Sequence, residues 1–125
     1  MKAIFRKVSD VFMILEIKKA NRTDLMRILN FNSGSNPIID RDLTQRFDEI
    51  LCQTNHSVLL AQVDGEIVGM LSLSIIDGLG KGFPFAVTGG GKIKPEFAGR
   101  GVDRALMNQA QYIAAEKGCR EIKSA

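Results

Sequence analysis

The chain contains no tryptophan, one tyrosine and one histidine, and aromatic side chains make up 6% of its 125 residues. Surfaces that grip single-stranded nucleic acid stack bases on aromatics set among basic residues, and no segment here interleaves the two. No nucleic-acid partner is expected. Cysteine is equally scarce. Cys52 and Cys119 stand alone, with neither CxxC spacing nor histidines arranged around them, which leaves no pattern for a structural zinc, a disulfide framework or a redox pair. They read as isolated free thiols, and no metal is expected. Long apolar runs are missing too: Val11-Phe12-Met13-Ile14-Leu15 is cut by Glu16, well short of the roughly 18 to 20 residues that cross a bilayer. Met1–Lys7 carries the charge of a leader's head, but no small-residue cleavage site follows the apolar run. The expectation is a cytoplasmic chain without a membrane partner.

What is present fits one globular domain over residues 1–125. With 45% hydrophobic and 25% charged residues, such a chain can bury roughly two thirds of its unfolded surface. The net charge is +3, and from Lys92 onward seven Lys/Arg face four Asp/Glu, so the C-terminal quarter holds an excess equal to that of the whole chain. A mildly basic region suits an anionic ligand.

Patterning predicts alternating strands and helices without repeats or a dividing linker. Val11–Lys19 reads as a strand, and Asn21 can cap a helix with Asp24 three positions on and Leu25, Ile28 and Leu29 on one face. Asn32-Ser33-Gly34-Ser35-Asn36-Pro37 ends it. A second helix is expected over about Asp40–Gln53, where Leu43, Phe47, Ile50 and Leu51 form an apolar stripe. Ser57–Val63 and Glu66–Ile76 read as strands joined by Asp64-Gly65, a pair that tolerates the positive φ of a two-residue hairpin turn. After the break Asp77–Gly82 comes a strand over roughly Phe83–Lys94, then a helix from Val102 to Lys117. Val102, Leu106, Ala110 and Ile113 make its buried stripe, Gly118 its stop, and Cys119–Ala125 a short strand or a tail. Together these predict an α/β fold with a mixed sheet, a central antiparallel hairpin and helices on both faces.

The stretch between that last long strand and its helix, Pro95-Glu96-Phe97-Ala98-Gly99-Arg100-Gly101-Val102-Asp103-Arg104-Ala105-Leu106, has the layout of a phosphate-binding turn. Two glycines spaced by one residue let the backbone turn tightly and present its amides. The helix behind adds unpaired N–H groups and the positive end of its dipole. An ordinary strand-to-helix connection would also start this way, so the turn takes its meaning from its surroundings.

Element order, the hairpin Gln62-Val63-Asp64-Gly65-Glu66-Ile67-Val68-Gly69, Pro95-Glu96-Phe97 before Gly99-Arg100-Gly101, the Ala105-Leu106 pair and the ending Glu116-Lys117-Gly118-Cys119 together resemble the GNAT superfamily of N-acetyltransferases. The resemblance covers roughly residues 11–125. It implies a GNAT-like acyl-CoA N-acyltransferase fold lacking the last helix and strands, and transfer of an acetyl group from acetyl-CoA to an amine on a small molecule or a protein. In that family the turn reads Gln/Arg-x-x-Gly-x-Gly/Ala and its amides hold the CoA pyrophosphate. Carried onto this chain, the cosubstrate would meet Lys92, Ile93 and Lys94 along the thioester and Gly99, Arg100, Gly101, Val102, Asp103 and Arg104 at the pyrophosphate.

The chain departs from that pattern in four respects. Ala98 stands where Gln or Arg is expected and Asp103 where Gly or Ala is expected, the latter placing a carboxylate beside an anionic ligand. Gly89 and Gly90 occupy the position of a glutamate that acts as general base in many relatives, and the tyrosine that protonates the departing thiolate has no counterpart. Glu66, Glu96, His56 and Tyr112 are poor substitutes by position, so no catalytic acid or base is assigned. Two functions stay open: an acetyl-CoA-dependent N-acetyltransferase that works by positioning the amine, and a non-catalytic binding or interaction module on the same fold. A final strand near Arg120–Ser124 with an uncovered edge would favour a homo-oligomer.

Overall fold

The computed structural model describes residues 2–6, 12–33, 41–80 and 82–124. Strand β2 (Phe12–Lys19) buries Leu15 and Ile17 on one face by simple alternation. Its outer edge pairs antiparallel with β1 (Lys2–Arg6), Ile4 opposite Ile14. The leader-like segment thus contributes a strand. Five residues with one apolar pair carry little strand signal alone, and pairing to the apolar β2 supplies what the local sequence lacks. Val11 and Gly34–Asp40 lie outside the described residues, so the start of the first predicted strand, the Gly34–Pro37 stop signal and the start of the second helix do too.

Asn21 closes a reciprocal cap: its side chain accepts from the Thr23 amide at 3.0 Å, and its own amide donates to Asp24 Oδ2 at 2.8 Å. One 3-10 turn over Arg22–Asp24 then leads into α1 (Leu25–Ser33), and α2 (Arg41–Cys52) follows. Leu25, Ile28 and Phe47 from these helices bury themselves with Leu60 and Ile67 of the sheet, while Leu29 and Leu51 pack alongside. Ile50 departs from the expected stripe and is 37% exposed, because the α2 face that meets the sheet is centred on Phe47 and Leu51.

Strands β3 (His56–Val63) and β4 (Glu66–Ile76) are joined by Asp64 and Gly65 at φ 51° and 79°, the two positive values that the hairpin requires. β5 (Phe85–Ile93) pairs antiparallel with β4, and β6 (Ile122–Ser124) runs parallel to β5. The six-stranded sheet has the order β1-β2-β3-β4-β5-β6, which sets the hairpin at its centre. Helix α3 (Val102–Glu116) covers the face opposite α1 and α2, burying Val102, Leu106, Ala110 and Ile113 against Leu15, Leu59, Leu71 and Leu73. It ends in a Schellman turn with Gly118 at φ 83°, where the Cys119 amide reaches Ala114 O at 3.0 Å and the Gly118 amide Ala115 O at 3.1 Å. Helices therefore lie on both faces of a mixed sheet, as the pattern predicts.

Two irregularities matter for the site. Ala61 pairs with Gly69 but Gln62 with Ile67, which leaves Val68 as an extra residue in β4. Met70 pairs with Lys92 but Ser72 with Gly89, so Gly90 and Gly91 bulge from β5 opposite Leu71, with Gly90 at φ 61°. The glycine run is the bulge. It resets the alternation beyond it, turning Ile93 toward the α3 core and Lys92 toward the end of α1.

Candidate functional site

β6 pairs with β5 over Ala86–Thr88, and among the described residues no strand covers that side of β5 from Gly89 to Ile93. The Lys94 amide donates inward to Val68 O at 2.8 Å. Alternation therefore turns the Ile93 backbone outward, to the open edge. An extended chain carrying amide groups can be held there by the same bonds that a strand would make.

This edge runs directly into the glycine turn. Pro95–Phe97 makes one 3-10 turn, pinned by the Phe97 ring in the core and by a hydrogen bond from the Ala98 amide to Pro95 O at 3.2 Å. Gly99 and Gly101 then take φ of 72° and 88°, values that side chains rarely adopt. A Cβ at either would meet nothing within 4 Å, so glycine is needed there for conformation and not for space. Gly101 is the N-cap of α3 and brings no side-chain cap; the first amide to bond backward is Ala105, to Gly101 O at 3.0 Å. The amides of Val102, Asp103 and Arg104 point out of the helix end without helical acceptors, at the positive pole of the dipole. Gly99, Gly101, Asp103 and Arg104 line a depression of about 340 Å³ at this end. Val102 and Leu106, 1% and 2% exposed, fix the helix beneath it.

The expected residues thus divide. Gly99, Gly101, Asp103 and Arg104 meet at one depression, and Val102 anchors it. Ile93 presents its backbone to the open edge while its side chain packs against the α3 core. The two lysines reach elsewhere. Lys94 Nζ pairs with Glu66 at the start of β4, and Lys92 Nζ donates to Phe31 O and Asn32 O at the end of α1. Glu96 is exposed on the turn and Tyr112 is 61% exposed on α3. His56 lies within β3, where its Nδ1 meets Ser74 Oγ at 2.8 Å, paired with a strand position well before the β5 bulge. Among the described residues no group of His, Cys, Asp or Glu could hold a metal. Cys52 is exposed, and burial pushes the half-buried Cys119 thiol up from its ordinary range.

Sequence reasoning missed Ser72, and read Gly69 only as the end of the hairpin motif without its place in the site. Gly69 sits beneath the start of α3, and Ser72 Oγ donates to Gly89 O at 2.8 Å, tying β4 to the residue before the bulge. Neither has a local signature, since each acquires its place only through the β4–β5 register.

Residues 23–125 match the model of the Acetyltransferase (GNAT) family, and the chain belongs to that family. Acetyl transfer is its general chemistry. No curated protein matches the sequence. Among solved structures, the chain is similar to the aminoglycoside N-acetyltransferase AAC(6')-Iy in complex with CoA, at 26% identity and a TM-score of 0.74 over 90% of this chain and 77% of that one. It is also similar to a transcriptional regulator from Bacillus halodurans (23% identity, TM-score 0.79, 89% and 81% covered). A third likeness is to aminoglycoside 6'-N-acetyltransferase AAC(6')-Ih from Acinetobacter baumannii (23%, 0.74, 89% and 78%). Among the described residues no helix is long and apolar enough to cross a membrane.

Proposed function

We propose that this chain is an acetyl-CoA-dependent N-acetyltransferase acting on an amine, with the whole chain as its single domain. The observation that carries the reading is the uncapped N-terminus of α3, shaped by Gly99 and Gly101 and continuous with the open edge of β5. The amides of Gly99–Arg104 suit a pyrophosphate, and the outward backbone of Ile93, between Lys92 and Lys94, suits the amide-bearing arm that leads to the thioester. Arg100 and Arg104 add positive charge at the turn. Asp103 opposes it, so the fit is good in shape and weakened in charge.

Bound acetyl-CoA supplies an activated acetyl group, whose C–S bond breaks as the C–N bond to the amine forms. The chain's own part is to hold the two reactants side by side, which by itself lowers the barrier. No carboxylate or imidazole lies on β5, so in this reading the amine proton passes to solvent and the departing CoA thiolate takes its proton from solvent. That same gap, with Asp103 at the turn, favours a second reading: a module that keeps the fold and binds without transferring. Thiol release from acetyl-CoA, followed with and without a panel of primary amines that includes sisomicin, the compound bound in a similar aminoglycoside acetyltransferase structure, separates the two. Amine-dependent release supports transfer, and binding without release supports the module.

A further inference from the structure

Lys92 occupies one position in β5 but serves two elements. It stands immediately after the Gly90–Gly91 bulge and beside Ile93, whose backbone faces the open edge. Its side chain leaves on the opposite bearing and reaches the last turn of α1, where Nζ donates to Phe31 O at 3.2 Å and Asn32 O at 2.9 Å and lies 5.3 Å from the Phe31 ring centroid. The final carbonyls of a helix have no helical donors and form the negative end of its dipole. An ammonium there satisfies two of them and adds an attraction to the ring face.

Phe31 in turn lines a cavity of about 510 Å³ with Arg27, Asn30, Asp64, Glu66 and Lys94. Two further cations frame this cavity. Arg27 bonds Gln62 Oε1 at 2.9 Å and Gly65 O at 2.5 Å, tying α1 to the hairpin, and Lys94 pairs with Glu66, tying the end of β5 to it. Lys92 closes the figure by tying β5 to α1. Without it the last turn of α1 loses its tie to β5 and keeps the packing of Phe31 against the Leu25, Ile28 and Phe47 core and the Arg27 bonds a full turn earlier.

We propose that Lys92 is a positioning residue of the transfer reaction, fixing the end of α1 over β5 and so the Phe31 wall of this cavity, where the amine would sit. The inference rests on the functional reading above. Its side-chain bonds are exposed, so their loss moves α1 without unfolding the domain, and Lys92 turns its backbone to Met70 of β4, leaving the open edge to Ile93.

The test compares the full chain with Lys92→Met, which keeps length and removes charge, and Lys92→Arg, which restores the charge. Hydrogen exchange of the Leu29–Asn32 amides is expected to quicken at least fivefold in Lys92→Met and to return in Lys92→Arg, while acetyl-CoA affinity stays within twofold. With sisomicin as the probe amine, KM is expected to rise at least fivefold in Lys92→Met with kcat within threefold. Unchanged exchange overturns the inference whatever the kinetics, as does an unchanged KM in a chain that acetylates sisomicin. If wild type leaves sisomicin unmodified, the same KM comparison is made with the best amine of the panel. A wild-type chain that does not bind acetyl-CoA removes the functional reading, and this inference with it; binding with unchanged exchange and KM in Lys92→Met overturns this inference alone.

Discussion

Gly69 of β4 lies directly under Val102 at the start of α3: a Cβ on Gly69 would fall 3.0 Å from Val102 Cγ1, with Ile93 Cδ1 at 2.9 Å and Leu106 Cδ1 at 3.2 Å. The two isolated methyls can swing aside, but Val102 is β-branched and fully packed, so the helix must move. Gly69→Ala is expected to cost about 1–3 kcal/mol of stability and to weaken acetyl-CoA binding by displacing the turn. Urea unfolding and calorimetric titration check both, with Gly80→Ala as control, since a Cβ there meets nothing within 4 Å.

Asp103 shares the depression with Gly99, Gly101 and Arg104. Its carboxylate favours the positive helix end in the empty chain and repels an anion placed there. At about 4 Å in water that repulsion is roughly 1 kcal/mol, about fivefold in affinity. Asp103→Gly is expected to tighten acetyl-CoA binding, an effect that shrinks with added salt. Unchanged or weaker affinity in a folded variant would place the pyrophosphate elsewhere.

Asp24 is 1% exposed and joins Lys18 at 3.1 Å to Arg27 at 2.7 Å. Burial pushes its carboxyl up, yet the Asn21 amide, the Lys18 hydrogen bond and the charges of Lys18 and Arg27 together outweigh burial and hold it below its ordinary value of 3.8. A depressed folded value means that the ionised carboxylate stabilises the fold above the unfolded value. That contribution is lost as pH falls through 3.8 and then through the lower folded value. Asp24→Asn is expected to cost about 1–3 kcal/mol at pH 7, and the gap to wild type should narrow in urea titrations repeated below pH 4.

The outer edge of β6 has no paired strand among the described residues, and unpaired edges invite pairing. Self-association through Ile122–Ser124 is the expected outcome. Sedimentation at high concentration checks it, and a stable monomer would contradict it.

Much of the fold is legible in the sequence where local chemistry decides. Asp64-Gly65, the Asn21–Asp24 cap, the α3 stripe and the Gly118 stop each depend on a few adjacent residues, and each lies where the pattern puts it. Lys2–Arg6 escapes because its strand character comes from the partner, not from itself. Gly89-Gly90-Gly91 falls inside the strand expected over Phe83–Lys94, and a bulge exists only relative to Leu71 across the ladder. The bearing of Lys92 follows from that bulge, so the sequence shows a lysine beside the glycines and cannot show that it reaches for α1. The site is legible as a turn and not as a register.

The most direct test of the central claim is a calorimetric titration of acetyl-CoA into the wild-type chain and into Gly101→Ala, whose φ of 88° a side chain strains by about 1–2 kcal/mol. The account predicts one-to-one binding by wild type, clearly weakened in Gly101→Ala with the fold retained by circular dichroism. No binding by a folded wild-type chain, or equal binding by the two, would contradict it.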